Sequence, residues 1–174
     1  MIVRPATAND IRGITRVHKE GWRAGYADLF PPEVLARAIE KHCTRWPRVF
    51  ASDDFAETTM LVAEQDGSIL GFAHLGPGEH DAGRFEDSEP GRAELYSFYV
   101  DPSYWGSGIA GELLKSVLAE LQTQGHREVF LSTYAGVSRA RAFYTKSGFH
   151  ETGRTSVYDF EDVPVPEVEY SRTI

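Results

Sequence analysis

The sequence is poor in cysteine and has no long apolar run. Its 174 residues include one cysteine, Cys43, which excludes an intramolecular disulfide and a cysteine-rich metal site. No hydrophobic run approaches the ~18 residues that a membrane-spanning helix requires. Met1 to Pro5 lack the basic and apolar segments of a secretory signal peptide. We therefore expect a cytoplasmic protein without a membrane partner, in which Cys43 is a buried or inert thiol.

Positive charge is scarce as well. The chain has 18 lysines and arginines against 26 aspartates and glutamates, which gives a formal net charge of −8. Such a protein is a poor partner for nucleic acid or an anionic membrane, although a local pocket can still bind an anion. The histidines lack the spacing of metal ligands, and we predict no metal. His74, on a predicted strand, is either a general base or, more simply, a structural histidine.

The remaining composition is that of an ordinary globular protein. Hydrophobic residues make up 41% and charged residues 25% of the chain, which excludes disorder, collagen and coiled coil as overall descriptions. The length is sufficient for one core that needs no disulfide or metal to stabilise it. We predict a single domain that spans residues 1–174.

Hydrophobic periodicity predicts a mixed α/β order, β-α-α-β-β-β-α-β-α-β-β. The predicted strands are residues 2–4, 60–64, 69–75, 95–100, 129–133, 157–160 and 165–174, and the predicted helices begin near residues 11, 32, 106 and 138. Thr7-Ala-Asn-Asp10 resembles a capping box before the first helix, and Ser138 is the predicted cap of the last one. Residues 76–92, rich in glycine and acids, are a predicted loop.

The strongest local signal is Trp105-Gly-Ser-Gly-Ile-Ala-Gly111, between a predicted strand and a predicted helix. Glycines at a helix start expose backbone N–H groups, and the helix dipole adds positive potential, so the natural ligand is a phosphate or pyrophosphate. A plain tight turn is the alternative. A dinucleotide site is disfavoured because the next strand, with Leu131-Ser-Thr133, lacks the acidic residue that such a site needs.

Two segments resemble motifs of the GNAT superfamily of N-acetyltransferases. Residues 94–110 are similar to its acetyl-CoA-binding motif, Q/R-x-x-G-x-G/A after a strand ending in Val-Asp-Pro, with Trp105, Gly108 and Ala110 at the three defined positions. Residues 137–149 look like its second motif, N-x-x-A-x-x-F-Y-x-K-x-G-F. The resemblance covers nearly the whole chain. Trp105 replaces the usual Gln or Arg, and Val137 replaces the usual Asn.

The resemblance implies an α/β fold with a central, mostly antiparallel sheet, a splayed parallel strand pair and about four flanking helices. It also implies acetyl-CoA as co-substrate, with the pyrophosphate on the N–H groups of Ser107 to Ala110 and the pantetheine arm along the strand ending at Val100. Ser138 replaces the missing Asn contact or is a simple cap. One of the cations Arg139, Arg141 and Lys146 meets the 3′-phosphate, or each of them is solvated. The implied cofactor-binding residues are Phe98, Tyr99, Val100, Trp105, Gly106, Ser107, Gly108, Ile109, Ala110, Ser138 and Arg141.

The implied reaction transfers an acetyl group to a primary amine of a small molecule or peptide by direct attack on the thioester. The amine must lose a proton, the oxyanion needs hydrogen-bond donors, and the leaving thiolate should be protonated. Glu94 is the candidate general base, and strand alternation places it on one face with Tyr96 and Phe98. A solvated carboxylate or a chain of waters is the alternative. Tyr144 is the candidate general acid, with core packing as its alternative.

The resemblance places the acceptor against the first two helices. The candidate substrate-binding residues are Trp22, Tyr26, Phe30 and Tyr96, for which core packing is the alternative. The acidic loop attracts a cationic amine or is simply solvated; its polar residues are Glu79, His80, Asp81, Glu86, Asp87 and Glu89. A non-catalytic acyl-CoA-binding module and an enzyme using a longer acyl-CoA remain alternatives. A homodimer is common in the family.

Overall fold

Seven strands join in one sheet in the computed structural model, which describes residues 1–78 and 91–174. The strands are β1 (Ile2–Pro5), β2 (Thr59–Gln65), β3 (Ser68–Pro77), β4 (Arg92–Val100), β5 (Glu128–Tyr134), β6 (His150–Phe160) and β7 (Val163–Thr173). The helices are α1 (Ile11–Gly25), α2 (Pro32–Cys43), α3 (Trp46–Phe50), α4 (Ile109–Thr123) and α5 (Ser138–Lys146). Three 3-10 turns occupy Ala8–Asp10, Asp53–Glu57 and Pro102–Tyr104.

The sheet is antiparallel except at its centre. The strand order is β1-β2-β3-β4-β5-β7-β6, and β4 and β5 form the parallel pair among the described strands. That pairing is short, because Arg92 to Glu94 align with Glu128 to Phe130 and no ladder continues beyond them. The predicted α/β fold, with a mostly antiparallel sheet and a splayed parallel pair, is therefore confirmed.

A β-bulge in β4 changes which of its side chains share a face. His74 of β3 pairs with Ser97, whereas the next residue, Leu75, pairs with Leu95. Tyr96 is the extra residue, and such an insertion reverses the alternation of the side chains that follow it.

The bulge overturns the predicted face of Phe98. Simple alternation placed Glu94, Tyr96 and Phe98 together, but Phe98 stacks on Phe143 of α5 with ring centroids 5.7 Å apart. The next residue, Tyr99, contacts an α1 side chain on the other face of the sheet. The prediction was wrong for Phe98 because sequence alternation does not reveal an inserted residue.

Helices cover both faces of the sheet. In β2, Leu61 and Ala63 join the apolar cluster of α4, whereas Met60 and Val62 join the cluster of α1 and α3. The buried residues of α4 are Ile109, Leu113, Leu114, Val117 and Leu121. Each of these side chains contributes roughly 1.5–3 kcal/mol by leaving water. No helix within residues 1–78 and 91–174 is long and apolar enough to span a membrane.

Several element boundaries differ from the predicted ones. Helix α3 was missed because its five residues are too few to display a helical period. Strand β6 begins at His150, well before the predicted residue 157, and its outer part alternates between exposed and half-buried side chains. Ser138 is not the cap of α5: Val137 occupies the N-cap position, and Ser138 is the first helical residue.

The predicted capping box forms and connects three elements. The Thr7 N–H donates to Asp10 Oδ2 at 2.7 Å, and the Arg4 guanidinium forms an ion pair with Asp10 at 2.8 Å. Arg4, on β1, also pairs with Glu64 on β2 at 2.7 Å. The hydrogen bond from Arg4 lowers the pKa of Asp10 from 3.8 to about 2, although burial of the carboxyl acts in the opposite direction.

We predict that Asp10→Asn lowers the free energy of unfolding at pH 7 by about 1–2 kcal/mol. A carboxyl whose pKa is lowered in the folded state stabilises the protein above its unfolded pKa of 3.8 and loses that effect as pH falls towards 2. Urea unfolding between pH 7 and pH 2.5 checks this. A difference between wild type and variant that stays constant with pH contradicts the role of the ion pair.

Candidate active site

The glycine turn before α4 presents backbone donors to solvent. Gly106 and Gly108 have φ values of +85° and +92°, in the left-handed region that glycine adopts without strain. Gly108 is the N-cap of α4, so the N–H groups of Ile109 and Ala110 have no carbonyl one turn earlier to bond. The Ser107 N–H, in contrast, donates to the Tyr104 carbonyl at 3.2 Å and is not available to a ligand.

Two side-chain interactions hold this turn in place. The Trp105 indole N–H donates to the Val100 carbonyl at 3.0 Å, which fastens the turn to the end of β4. Asp101 accepts from the Ser103 N–H at 3.0 Å and forms an ion pair with Arg16 of α1. Burial opposes the charged form of Asp101, but these donors outweigh it and hold the pKa below its ordinary value.

A cavity of about 810 Å³, called here the larger cavity, is lined by the turn, the last residues of β4, the end of α1 and much of α5. Eight predicted cofactor-binding residues line it: Phe98, Tyr99, Val100, Trp105, Gly106, Gly108, Ala110 and Ser138. The predicted residues Ser107, Ile109 and Arg141 are not among its lining residues. Ile109 is buried in the core cluster of α4, where it packs as an apolar residue.

The structure places Arg139, rather than Arg141, at the larger cavity. Arg141 donates to Glu151 at 2.5 Å and to the Ala135 carbonyl at 3.1 Å, which directs its guanidinium away from the cavity. The guanidinium carbon of Arg139 lies 4.6 Å from the centroid of the Trp105 ring, and both residues line the cavity. The predicted role of Arg141 is therefore disfavoured by its geometry.

A second cavity, of about 440 Å³, is lined by residues from both faces of the sheet, among them His18 of α1, His42 of α2 and Tyr144 of α5, and is called here the smaller cavity. It includes the predicted substrate residues Trp22, Tyr26 and Tyr96. The residues that line both cavities are Tyr26, Phe98, Tyr99, Ala140 and Tyr144. The two cavities thus meet where β4 and β5 separate.

A hydrogen-bonded aromatic group lines the smaller cavity, and two of its members, Tyr26 and Tyr99, also line the larger one. The Trp22 indole N–H lies 3.0 Å from the Tyr99 hydroxyl and 3.0 Å from His18 Nε2, and the Tyr99 and Tyr26 hydroxyls are 3.1 Å apart. Burial raises the pKa of Tyr99 to about 12. Burial, with the charges of Arg45 and His42, lowers the pKa of His18 well below its ordinary value. His18 is therefore neutral at physiological pH.

Tyr144, the predicted general acid, lies at the junction of the cavities. It is 8% exposed and packs against Phe98, Phe149 and Tyr170. Among the described residues its hydroxyl has no hydrogen-bond partner. Burial, and then the neighbouring Tyr99, raise its pKa above the ordinary value, so the hydroxyl stays protonated across the physiological range.

Glu94, the predicted general base, does not lie at the junction of the cavities as Tyr144 does. It pairs in register with Phe130, in the short stretch where β4 and β5 are still joined, and it lines neither cavity. Phe30, a predicted substrate residue, is 4% exposed and packs in the core beside Trp22. Its alternative, core packing, is the one that the structure favours.

Two further predictions concern polar residues around the sheet. His74 Nε2 lies 2.9 Å from the Thr58 hydroxyl, and the residue is 4% exposed. His74 lines neither cavity. The acidic loop, with Glu79, His80, Asp81, Glu86, Asp87 and Glu89, lies outside the described residues.

The polar residues of the smaller cavity that were missed in the sequence include His18, His42, Arg45 and Glu167. Glu167, on β7, is 3% exposed and accepts from the Ser156 hydroxyl at 2.8 Å. Its signal was an acidic residue alternating with apolar ones inside a predicted strand. His18 lies four residues before Trp22, on the same helical face, which is a weaker signal.

The comparisons with known proteins agree with this arrangement. A profile of the acetyltransferase (GNAT) family matches residues 21–149. A probable N-acetyltransferase of Mycobacterium tuberculosis is 25% identical over 97% of this chain and 91% of that protein. A mycothiol acetyltransferase of Amycolatopsis mediterranei is 35% identical over 56% of this chain, and the match spans 33% of that longer protein. The crystal structure of the PaiA N-acetyltransferase of Thermoplasma acidophilum in complex with coenzyme A is similar, with a TM-score of 0.74, 20% identity and coverage of 99% of this chain and 98% of that one.

The fold, with its opened parallel pair, and these matches define an enzyme of the N-acetyltransferase class. The chain belongs to the GNAT family of acetyltransferases, because the family profile covers 129 residues, from 21 to 149, of the 174. The resemblance drawn from the two sequence motifs is confirmed.

We predict that Arg139→Gln weakens acetyl-CoA binding about tenfold, equivalent to ~1.4 kcal/mol. The expected cause is loss of a guanidinium that Trp105 holds at the cavity mouth, where it can pair with a phosphate. Calorimetry with acetyl-CoA and with dephospho-CoA measures the effect and identifies the phosphate, since a 3′-phosphate contact predicts that the variant discriminates less between the two. Arg141→Gln is the matched control. A larger loss of affinity in that control would restore the sequence-based assignment.

Proposed function

We propose that the protein transfers an acetyl group from acetyl-CoA to a primary amine of a small molecule or peptide, by direct attack of the amine on the thioester. The observation that carries this proposal is the meeting of the two cavities at Tyr144 and Tyr99. A donor in the larger cavity and an acceptor in the smaller one would reach each other at that point. A binding module for acyl-CoA alone has no need of the second cavity.

Several features of the larger cavity suit acetyl-CoA. The N–H groups of Ile109 and Ala110, at the positive end of the α4 dipole, are suited to the pyrophosphate. Arg139 adds a positive charge at the larger cavity, although the protein as a whole is acidic. The indole of Trp105 anchors the turn to Val100, which compensates for the missing Gln or Arg of the motif. The PaiA relative was crystallised with coenzyme A, which supports the same ligand here.

The chain's own groups complete the chemistry. Acetyl-CoA supplies the acetyl group as a thioester. The amine nitrogen forms a bond to the acetyl carbon, the carbon–sulfur bond breaks, and one amine proton must leave. The part of β4 after Glu94 is not paired with β5, so its backbone can donate to the acyl oxygen. Tyr144, protonated and at the junction, donates a proton to the departing sulfur.

The base that receives the amine proton is Glu94 or Glu167, or a water held by one of them. Glu94 is the residue that the family resemblance implies, but Glu167 is the carboxylate that lines the smaller cavity. An amine in that cavity would lie beside Glu167, whereas Glu94 does not line it. This difference in placement favours Glu167.

We predict that Glu167→Gln lowers kcat ~10²-fold or more near neutral pH, because general base catalysis is worth about that much. Glu94→Gln is the matched substitution and is expected to change kcat less than threefold between pH 6 and pH 9. The measurement is steady-state release of coenzyme A, with thermal melting to verify that both variants fold. The reverse ranking of the two variants assigns the base to Glu94, and two small effects assign it to solvent.

We predict that Tyr144→Phe lowers kcat at least tenfold and leaves the dissociation constant of acetyl-CoA nearly unchanged. The reason is that only the hydroxyl is removed, while the ring keeps its packing against Phe98 and Phe149. Since burial raises the Tyr144 pKa, the wild-type rate should show no alkaline decline from this group below pH 10. Unchanged turnover, with the chemical step limiting, contradicts the acid role.

Acetyl-CoA titration by calorimetry, followed by a screen of amine acceptors, tests the proposed function. Saturable binding of one acetyl-CoA per chain and acetylation of at least one amine are the expected results. Binding without transfer to any amine favours a non-catalytic acyl-CoA module. Comparison of acetyl, propionyl and longer donors identifies the acyl chain that the gap accepts. Absence of binding at millimolar acetyl-CoA contradicts the proposal.

A further inference from the structure

Arg45 is a cation in the wall of the smaller cavity that the proposed chemistry does not use. It stands at the N-cap of α3, and its guanidinium carbon lies 5.1 Å from the centroid of the Trp46 ring. Its Nε atom is buried and has no hydrogen-bond partner. Within residues 1–78 and 91–174, no carboxylate forms an ion pair with Arg45, and no acceptor receives a hydrogen bond from its side chain.

An arrangement of this kind favours an anionic ligand. A buried donor without an acceptor costs free energy, and the cost is recovered when a ligand supplies the missing oxygen. The planar guanidinium matches a carboxylate through two parallel hydrogen bonds. Trp46 is fully buried, so the ring under Arg45 cannot move easily, and the guanidinium is held ready for its ligand.

The rest of the cavity limits the size and type of the ligand. Its volume of about 440 Å³ is that of a site for a small molecule. Flat rings from Trp22, Tyr134 and Tyr158 line it and suit an apolar or planar side group. A polyamine, which carries several positive charges and no negative one, would place like charge beside Arg45.

We propose that the acceptor is an amine of amino-acid size that carries a carboxylate, and that Arg45 binds this carboxylate. The proposal rests on the proposed acetyl transfer and names the substrate class of the smaller cavity. Arg45 then acts in specificity: it orients the acceptor so that its amine points towards Tyr144 and the gap between β4 and β5.

Matched sets of acceptors test this assignment. Each set contains an amino acid, its amide and its decarboxylated amine, with either an aromatic or an aliphatic side group, and coenzyme A release reports kcat and KM. We expect wild type to prefer the acid over the amide at least tenfold in kcat/KM. Arg45→Gln should remove this preference by raising KM for the acid, with a much smaller change in KM for the amide, which carries no negative charge. Arg48→Gln, an exposed arginine on the same helix, is the control and should behave as wild type.

Several readouts keep the test decisive. Arg45→Lys retains the positive charge but not the paired N–H donors of the guanidinium, so it should recover part of the preference for the acid. This variant also serves as the test if Arg45→Gln does not fold. Thermal shifts with the same acids, in the presence of coenzyme A, report binding without turnover. Equal use of acids and amides by wild type, a preference that survives in Arg45→Gln, or no binding of any acid overturns the inference. Failure of the wild-type protein to bind acetyl-CoA refutes the proposed function instead. The two failures are therefore distinguishable.

Discussion

The separation of β4 from β5 is the constraint on which the rest of the structure depends. Parallel pairing stops after Glu94 and Phe130, and the strands open where a continuous sheet would have bonded every backbone group. Buried backbone donors and acceptors need partners, so an opened pair is stable only if other groups or a ligand meet them. The gap also joins the two faces of the sheet, and both cavities are lined by residues of α1 on one face and of α5 on the other.

Distant parts of the chain hold this opening in shape. The Tyr96 bulge turns Phe98 towards α5 and Tyr99 towards α1, so the two sides of the strand contribute to both cavities. Arg16 of α1 and Asp101 beyond β4 form an ion pair that places the glycine turn against the sheet. The walls of the two cavities and the apolar core are therefore built from the same strand, and a change in β4 affects both.

The departures from the family motif have a structural explanation. Trp105 replaces a polar side chain, yet its indole N–H bonds the Val100 carbonyl and its ring lies under Arg139. The turn is thus anchored by the protein's own backbone, and the positive charge beside it comes from Arg139 on α5. At Val137 no comparable replacement occurs: this residue is the N-cap of α5 without a side-chain bond, and the neighbouring Ser138 faces the larger cavity.

The sequence alone determined the local features: the order of the strands and of every helix except α3, the capping box at Thr7 and Asp10, the glycine turn and the two motifs that identify the family. These depend on residues close together in the chain, where periodicity and turn chemistry act. Only the tertiary structure decided which side chains meet. One extra residue at Tyr96 reversed the face of Phe98, an ion pair with Glu151 drew Arg141 away from the cavity, and packing placed Phe30 in the core. The same long-range packing brought Arg45 and Glu167 into one cavity, because contacts between residues more than a hundred positions apart leave no periodic trace in a single sequence.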